Sequence, residues 1–561
     1  MRKMLLSFVV LFISVLFNTN GFSQLFVEKN YPHEYFQWPV AGTVSIAANF
    51  GELRPNHYHM GLDARTERRV NLPVYAAASG YVAKVKIEPY GFGRCIYINH
   101  PNGLTTLYAH LNDFYPALEK YITDQQYILQ KWNVFLDIPA DLFPVNKGEF
   151  IAFSGNTGGS QGPHLHFEIR DTKTDNVLNP LLFGFAIPDL TPPDILRLAV
   201  YDRCLSTYEQ TPKIIPLKKI NGIYQPVAGE LIVNTDKVSF AITAYDRYTG
   251  STNQNGIYKA ELFDNDVAVS GFEMDSISYD DTRYLNAHID YKMRSKGGHY
   301  MQHLSNLPGH LKGIYKTNNE NGVISLHGED THSIKIMVSD VAGNTSTIQL
   351  KIKAAENFTN PVVRPFLQMF HPGFINVFEN DSVRFYLPEK SLYDSFRFRY
   401  VEIPGATVTV YQLHEPSVPL HNYFPLSIRG NFITADTSKI IMKRSYGSKA
   451  DYVKSIWHEG WYTAWFREFG NFQLMVDRTP PIISNVSLTK FRISFTIVDN
   501  TETLKNFSAY LDGNWLRFTN DKGRTFIYSF DDRCSPGPHD LKIYVEDQVG
   551  NKSEKIFHFT R

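Results

Sequence analysis

Residues 162–170 read GPHLHFEIR and follow a glycine-rich run, GNTGG, at 155–159. An extended chain projects alternate side chains to the same face, so His164 and His166 lie side by side while the apolar residues between them take the other face. Two adjacent imidazoles can share a metal ion, or they can be polar residues on a solvated sheet surface. Residues elsewhere in the chain are needed to distinguish a metal site from a solvated sheet surface.

The chain has 561 residues, more than one hydrophobic core usually supports, and its length indicates about three or four domains. Lys plus Arg and Asp plus Glu number 56 each, so charge favours neither nucleic acid nor an anionic membrane as partner. Aromatic residues make up 14% of the chain, and together with many Thr, Val and Ile they favour strands over helices. We therefore predict a mainly β protein.

The N-terminus carries the pattern of a secretory signal peptide. Arg2 and Lys3 precede an apolar run at 4–17, and small residues lie before a cleavage position ahead of Gln24. No cysteine follows the run, so a lipoprotein anchor is not indicated, and no later segment has the ~20 apolar residues of a spanning helix. We expect a signal peptide at 1–23, no transmembrane segment, and an exported protein of the periplasm or cell envelope, or a secreted one.

The chain has three cysteines, Cys95, Cys204 and Cys534, which are far apart in sequence. An odd number at such spacing supports neither a disulfide framework nor a cysteine-based zinc site. At most one bridge can form within the chain, and the sequence does not say which pair would form it. For Cys95 we expect a small buried apolar residue in its strand.

Short β runs separated by turn signals predict a compact antiparallel β domain at 24–188. The segment 112–146 departs from this rhythm and reads as a partly helical insertion, which we expect to border or cover a cleft.

Two similar phrases frame the rest of the chain. TPPDI at 191–195 opens a stretch that ends in SDVAGN at 339–344, and TPPII at 479–483 opens one that ends in EDQVGN at 546–551. The repeats resemble bacterial immunoglobulin-like (Ig-like) β-sandwich modules. We predict such modules at 189–355, with an insertion, and at 478–561, with a further β-rich domain at 356–477.

A catalytic zinc needs three protein ligands and one open position, so His166 needs partners. His59 and Asp63 lie four residues apart with Gly61 between them, and His110 follows a β run at 105–109. Taken singly, each of these residues has a non-catalytic explanation, as a surface residue or as a histidine at the end of a hairpin.

Four motifs occur together over roughly residues 40–185: His59-x-Gly-x-Asp63, VYAAASG at 74–80, YAHL at 108–111 and GNTGGSQGPHLHFE at 155–168. In their order and near-spacing they resemble the lysostaphin-type, or LytM-like, zinc metalloendopeptidases. The resemblance implies a duplicated hybrid motif β fold, zinc bound by His59, Asp63 and His166, and His110 and His164 beside the open position. We assign His164 as the general base for water and His110 as the group that stabilises the oxyanion or protonates the leaving amine, and the two roles can be exchanged.

Neighbouring residues have weaker claims. His57 lies two positions before His59 and is expected at the rim, and Arg54 and Asn56 either line the cleft or are solvated loop residues. Glu168 shares a strand face with the two histidines and is expected to orient a ligand histidine. Residues 189–561 show no catalytic constellation, and we expect His299, His303 and His310 to be surface residues.

The resemblance implies an exported metalloendopeptidase that hydrolyses peptide cross-links of peptidoglycan, with a protein partner or activator recognised through the Ig-like modules. Two alternatives stay open. One is a non-catalytic wall-binding or regulatory protein with the same fold, which loss of ligands would indicate, whereas all five expected residues are present. The other is a secreted peptidase that acts on other proteins.

Overall fold

A computed structural model describes residues 25–27, 29–310, 313–318, 320–327, 330–356, 365–405, 408–430, 436–523 and 525–561. The predicted signal peptide lies outside these residues. The chain is mainly β, as predicted, with an N-terminal β domain followed by further β-sheet regions. Within the described ranges, no helix is long and apolar enough to cross a membrane.

The N-terminal β domain consists of short strands and one inserted helix. The elements are β1 (Ile46–Ala48), β2 (Leu53–Arg54), β3 (His57–Tyr58), β4 (Leu62–Arg65), β5 (Pro73–Tyr75), β6 (Gly80–Ile87), β7 (Arg94–Asn99), β8 (Leu104–Ala109), α1 (Pro116–Leu129), β9 (Val134–Asp137), β10 (Pro144–Val145), β11 (Phe150–Phe153), β12 (His164–Asp171) and β13 (Val177–Leu178).

The main sheet of this domain has the order β1-β4-β12-β8-β7-β6-β10, and its neighbouring strands are antiparallel. Strand β12 is central because it pairs with β4 on one side and β8 on the other. In this register His166 lies opposite Asp63 and, across the other ladder, opposite Ala109. Residues distant in sequence are thus brought to one place on the sheet.

The insertion at 112–146 contains a helix, as predicted, and also two strands. Helix α1 begins with Pro116, whose fixed φ suits a first turn, and ends at Gln130 in the left-handed conformation. Leu118 and Ile122, four residues apart, are buried on its inner face. Strands β9 and β10 both pair with β6, so the insertion widens the sheet.

The first repeat contains two sheets. One consists of Asp194–Asp202, Lys213–Ile215, Lys237–Tyr245, Gln302–His303 and Ile324–Ser325; the other consists of Leu217–Ile220, Ile223–Pro226, Leu231–Val233, Lys259–Asp264, Val267–Glu273, Tyr315–Thr317, His332–Ser339 and Thr345–Ala354. Its insertion adds the short helices Leu285–His288 and Tyr291–Ser295 and the strand Ser276–Ile277. That strand pairs with β13, so the first repeat extends the sheet of the N-terminal domain.

The two remaining regions are built of antiparallel sheets, whereas the larger sheet of the first repeat contains two parallel strand pairs. The third region has the pair Gln368–Phe370 and Phe396–Phe398, the sheet Asn376–Glu379, Val383–Leu387, Pro419–Arg429, Trp461–Glu468 and Ile456–His458, and the sheet Tyr400–Ile403, Val410–Leu413, Gly470–Val476, Ile440–Tyr446 and Lys449–Lys454. The last region has the sheet Ile482–Leu488, Arg492–Val498 and Thr525–Ser529 and the sheet Asn514–Trp515, Leu504–Leu511, Pro538–Asp547 and Lys552–Thr560. The domain boundaries themselves stay predictions.

One hydrophobic core is shared by the N-terminal domain and the first repeat. Phe50, Tyr58 and Met60 of the N-terminal domain pack in the same cluster as Phe240 and Leu262 of the repeat. Tyr58 and Met60 flank His59, so the backbone around this histidine is held by the core of the neighbouring region.

Two expectations about histidines were wrong. His303 and His310 are buried, whereas His299 is exposed as expected. His303 packs at 5.0 Å from the Tyr201 ring, and burial lowers the pKa of His303 to about 3. Their apolar environment is formed by strands far away in sequence, which local polarity does not reveal.

All three cysteines are free thiols. Cys95 is fully buried in β7, as expected, and Cys534 is also buried, while Cys204 is exposed. The structure therefore pairs none of them.

Candidate metal centre

His59, Asp63 and His166 meet at one end of the main sheet. His59 follows β3, Asp63 lies in β4, and His166 lies in the neighbouring β12. The glycine between the first two is required by this close approach, because a Cβ at Gly61 would lie 2.7 Å from the Phe167 carbonyl oxygen and 2.8 Å from the His166 ring. The spacing His-x-Gly-x-Asp thus reflects how tightly β4 lies against β12.

The three side chains present one donor atom each to a common point. His59 Nε2 is 3.0 Å from Asp63 Oδ1 and 3.1 Å from His166 Nδ1, and His166 Nδ1 is 2.9 Å from Asp63 Oδ1. All three residues are buried, with 6–8% of their surface exposed. They form a group able to hold a metal ion.

The hydrogen bonds on the far side of each ring define which nitrogen is free. His59 Nδ1–H donates to the Asn49 carbonyl oxygen at 2.7 Å, and His166 Nε2–H donates to Glu168 Oε1 at 2.9 Å. The opposite nitrogens, His59 Nε2 and His166 Nδ1, then carry lone pairs and point at the Asp63 carboxylate. Three acceptor atoms facing one another require a cation between them.

This donor set fits zinc. Two imidazole nitrogens and one carboxylate oxygen are ligands that zinc prefers, and tetrahedral bonds of 2.0–2.2 Å place neighbouring ligands about 3.3 to 3.6 Å apart. The observed separations of 2.9–3.1 Å are slightly shorter, so a small outward movement of the donors would admit the ion. Three protein ligands also leave one position open, which distinguishes a catalytic from a structural site.

The electrostatics of the group favour added positive charge. Burial opposes a charged Asp63, but the adjacent His59, together with His164 and His166 beside the carboxylate, outweighs it and holds the pKa of Asp63 well below its usual range. Burial likewise opposes a charged His166, and the hydrogen bonds to Asp63 and Glu168 outweigh it and raise the pKa of His166 to about 9. Without a metal, a proton on His166 supplies the positive charge next to Asp63. A bound cation would take the place of that proton.

His164 and His110 lie beside the three donors. His164 Nδ1–H donates to the Gly162 carbonyl oxygen at 2.8 Å, and its Nε2 lies 3.4 Å from Asp63 Oδ1. His110 Nδ1–H donates to the Thr157 carbonyl oxygen at 2.8 Å, and the ring centres of the two histidines are 4.8 Å apart. Both imidazoles therefore have an unprotonated Nε2.

His110 occupies an unusual backbone conformation, with φ at 61°. Such left-handed conformations are uncommon outside glycine and asparagine and occur at functional sites. Burial, with His166 and His164 nearby, lowers the pKa of His110 to about 3, so the ring is neutral at pH 7.

The remaining predicted residues lie around this group. Arg54 Nη2 is 3.8 Å from Asp63 Oδ2, and Arg54 also pairs with Glu52, so it does border the centre. His57 is exposed and bonds the Pro55 carbonyl oxygen, which places it at the rim. Asn56 accepts a hydrogen bond from Asn286 of the first repeat and serves the contact between the two regions.

Glu168 does orient His166, and its own supports were not anticipated. Glu168 is fully buried, and Arg170 Nε donates to its Oε2 at 2.7 Å. Tyr279, from the insertion in the first repeat, donates to Glu168 Oε1 and stacks its ring 4.8 Å from the Arg170 guanidinium. Burial alone would raise the pKa of Glu168, but Arg170 and His166 lower it, so the carboxylate is charged. Tyr279 is more than a hundred residues from Glu168 in sequence, and no local signal identified it.

A hairpin of the last region also reaches the centre. Asp521 Oδ1 accepts from the Gly158 N–H at 2.7 Å, and Lys522 Nζ donates to the Ser160 carbonyl oxygen at 2.7 Å. The glycine-rich loop that they hold supplies the carbonyl acceptors for His110 and His164.

Helix α1 supports the same hairpin region. Arg517 Nη1 donates to Gln126 Oε1 at 2.6 Å, and the rings of Trp515 and Tyr127 lie 5.2 Å apart. The predicted role of the insertion in bordering or covering a cleft stays a prediction, whereas its docking of the last region is observed.

Comparison with known proteins places two families on the chain. Peptidase family M23 matches residues 57–129, and a Zu5-like domain matches residues 368–477. The named C-terminal domain is therefore Zu5-like rather than Ig-like, and it covers most of the predicted β-rich domain at 356–477. The Ig-like assignment of 189–355 and 478–561 stays a prediction.

Curated relatives match the same N-terminal part. The DD-carboxypeptidase/endopeptidase Mpg of Neisseria meningitidis serogroup B is 33% identical over 136 residues, which are 24% of this chain and 25% of the relative. The peptidoglycan DD-endopeptidase ShyA of Vibrio cholerae is 28% identical over 139 residues, which are 24% of this chain and 26% of the relative. The chain thus spans about a quarter of the length of these relatives.

Among solved structures, a zinc containing peptidase from Vibrio cholerae is 27% identical, with 24% of this chain and 37% of that chain covered and a TM-score of 0.18. The catalytic domain of lysostaphin from Staphylococcus simulans is 22% identical, with 25% and 91% covered and a TM-score of 0.18. At these TM-scores neither structure carries an argument. With the family match and the curated relatives, the N-terminal β domain of this chain is an M23 peptidase domain of the LytM/lysostaphin type.

Proposed function

We propose that the chain is an exported zinc metalloendopeptidase that hydrolyses peptide cross-links of peptidoglycan in the cell envelope. The observation that carries the proposal is the triangle of His59 Nε2, Asp63 Oδ1 and His166 Nδ1, with the imidazoles of His110 and His164 beside it. A merely structural site would be closed by a fourth protein ligand, whereas this group offers three.

The zinc ligands in this proposal are His59, Asp63 and His166. When bound, zinc supplies a Lewis acid that activates water and polarises a scissile carbonyl. The chain's own residues must then accept and return a proton.

His164 is the better general base. Its Nδ1 proton is held by the Gly162 carbonyl, so its Nε2 is free to accept a proton from water. The Asp63 carboxylate, 3.4 Å from that nitrogen, stabilises the positive charge that results. The low pKa of His110 leaves its Nε2 without a proton to give at neutral pH, so the proton that His164 takes from water is the one delivered to the leaving amine. Arg54, close to Asp63 and half-exposed, is placed to counter negative charge at the rim.

The substrate class rests on the relatives. Mpg and ShyA carry DD-carboxypeptidase/endopeptidase and peptidoglycan DD-endopeptidase in their names, and their similarity to this chain covers the M23 domain. The predicted signal peptide agrees with a substrate outside the cytoplasm.

The test is digestion of purified peptidoglycan by the zinc-loaded full chain, with muropeptides separated by chromatography. We expect cross-linked dimers to be converted to monomers by the wild type and by His57→Ala, a matched variant of the rim histidine. His164→Ala should keep its zinc and lose hydrolysis. Peptidoglycan left intact by a zinc-loaded wild type, or cut equally well by His164→Ala, would contradict the proposal.

A further inference from the structure

A second cluster of carboxylates lies where the M23 domain joins the first repeat. Asp189 lies in the connection after residue 188, Asp246 follows the strand Lys237–Tyr245, and Asp340 follows the strand His332–Ser339. Carboxylate oxygens of all three lie within 4.8 Å of one another. Asp246 and Asp340 are 1% and 4% exposed, so two of these charges are almost entirely removed from water.

No positive side chain compensates this cluster. Among the ion pairs of the described residues, none involves any of the three aspartates, and the nearby Arg247 pairs with Asp194 instead, at 2.9 Å. Buried carboxylates without a partner are costly, because burial disfavours charge and like charges repel.

Some of the oxygens in the cluster are satisfied and others are not. Asp340 accepts from the N–H and the side-chain amide of Asn344, at 2.9 and 2.8 Å, and Asp189 Oδ1 accepts from the Thr191 N–H at 3.0 Å. In contrast, Asp246 Oδ1 and Asp189 Oδ2 are buried and have no hydrogen-bond partner. The unpartnered carboxylate of Asp246, 1% exposed, is thus part of the group that converges.

The last region provides an internal comparison. Asp477, Asp499 and Asp547 occupy the corresponding places, before TPP, after a strand and in the closing phrase. There Asn500 donates its amide to Asp477 Oδ1, and Thr501 donates to Asp499 Oδ2. The other oxygens of these two aspartates are buried without a partner among the described residues, so the two clusters differ in convergence and not in hydrogen bonding. In the described part of the chain these three form no comparable group. The two repeats share the same turn residues, yet only in the first repeat do the three carboxylates lie close together. The turns alone therefore do not explain why Asp189, Asp246 and Asp340 converge.

We propose that Asp189, Asp246 and Asp340 bind a calcium ion that fastens the M23 domain to the first repeat. Three carboxylates are hard oxygen ligands, which calcium takes at 2.3–2.6 Å, so ligands on opposite sides of the ion are about 4.8 Å apart. Magnesium requires shorter bonds of near-ideal octahedral geometry and keeps much of its water, and zinc prefers nitrogen and sulfur donors.

The position of the site connects it to the zinc centre. The backbones of Asp246 and Asn255 pair through two hydrogen bonds, and the next residue, Gly256, exchanges two hydrogen bonds with the Asn49 side chain. The Asn49 carbonyl in turn accepts from His59 Nδ1. Calcium would therefore immobilise a loop that holds the residue behind a zinc ligand.

The test measures calcium binding and thermal unfolding of the full chain, freed of calcium and reloaded with one equivalent of zinc. We expect one calcium per chain with a Kd of about 10⁻⁴ to 10⁻³ M, the range of extracellular modules. Saturation should raise Tm by about 3–6 °C, since the ion binds only the folded state. Magnesium at the same concentrations should raise Tm by less than half as much.

Two matched variants separate a ligand from a turn residue. Asp246→Asn should abolish the calcium response without lowering the calcium-free Tm, because it removes one of three repelling charges. Asp499→Asn, its counterpart in the last region, should keep the response. A wild type that does not respond to 10 mM calcium, or an Asp246→Asn variant that responds normally, would overturn the proposal. This readout is independent of hydrolysis, so it stands or fails apart from the proposed enzymatic function.

Discussion

The two carboxylate-bearing clusters differ in how their donor atoms are held. In the M23 domain, each histidine is fixed on its far side by an acceptor, Asn49 for His59 and Glu168 for His166. In the first repeat, Asp246 Oδ1 has no hydrogen-bond partner among the residues that the structure describes. The difference indicates that the first cluster is prepared for a nitrogen-preferring ion in defined geometry, whereas the second suits an ion that tolerates irregular coordination.

The largest expected effect is on peptidoglycan hydrolysis, which should depend on the His59, Asp63 and His166 cluster and not on the Asp189, Asp246 and Asp340 cluster. Asp63→Ala should lose stoichiometric zinc and reduce peptidoglycan hydrolysis by at least about a thousandfold, since the metal supplies several kcal/mol of transition-state stabilisation. Asp246→Ala should keep its zinc and most of its hydrolysis. Zinc analysis and muropeptide chromatography of both variants provide the measurement. Equal losses in the two variants would show that the clusters are not functionally distinct.

The next effect concerns the orientation of His166. Glu168→Gln removes the negative charge of a carboxylate that contacts Arg170, Tyr279 and His166. We expect zinc affinity to fall about 10- to 100-fold. Competition with a chromophoric chelator measures it. Asp175→Asn is the control, because Asp175 also pairs with Arg170 but is largely exposed. Unchanged affinity in Glu168→Gln would mean that the geometry of β12 alone holds the ligand.

A third effect concerns the charge that the zinc site requires. The folded-state pKa of His166, about 9, lies above the ordinary value of 6.5, so its contribution to stability is complete below pH 6.5 and is lost as pH rises through 9. The Tm of the zinc-free chain should therefore fall over this interval by more than that of zinc-free His166→Gln. Zinc should remove the difference and release about one proton at pH 7.5, measured by calorimetry in buffers of different ionisation enthalpy. Zinc binding without proton release would exclude a protonated His166.

The smallest effect concerns the hairpin of the last region. Asp521→Ala removes the acceptor for the Gly158 N–H and loosens the loop that positions His110 and His164. We expect kcat to fall about 3- to 10-fold with zinc affinity unchanged, as for a lost hydrogen bond of about 1 kcal/mol. Lys542→Ala, an exposed partner of Glu554 in the same region, should have no effect. A changed zinc affinity in Asp521→Ala would place the effect on the ligands instead.

The side chains that surround the candidate metal centre follow local rules that can be read from the sequence. Alternation along a strand places His164 and His166 together, and the glycine between His59 and Asp63 marks a close approach that the structure requires. The helical character of the insertion follows from its composition and from Pro116. The assignment of these residues as ligands and catalytic groups stays a prediction.

Contacts over long sequence separations could not be predicted. Tyr279 reaches Glu168 only because the strand Ser276–Ile277 joins the sheet of another domain. His303 was expected at the surface, yet it is buried because neighbouring strands bring Tyr201 against it. No periodicity within a single segment contains this information, since it depends on how separate regions pack.

The common core of the M23 domain and the first repeat limits how this chain can be divided into fragments. Residues on either side of His59 contribute their side chains to a neighbour's interior, so cutting the chain near residue 188 would expose Tyr58 and Met60 to solvent. An excised fragment would then expose an apolar surface to solvent, and its backbone around His59 would be held less rigidly. A fragment intended to keep the M23 domain intact must therefore include the first repeat as well.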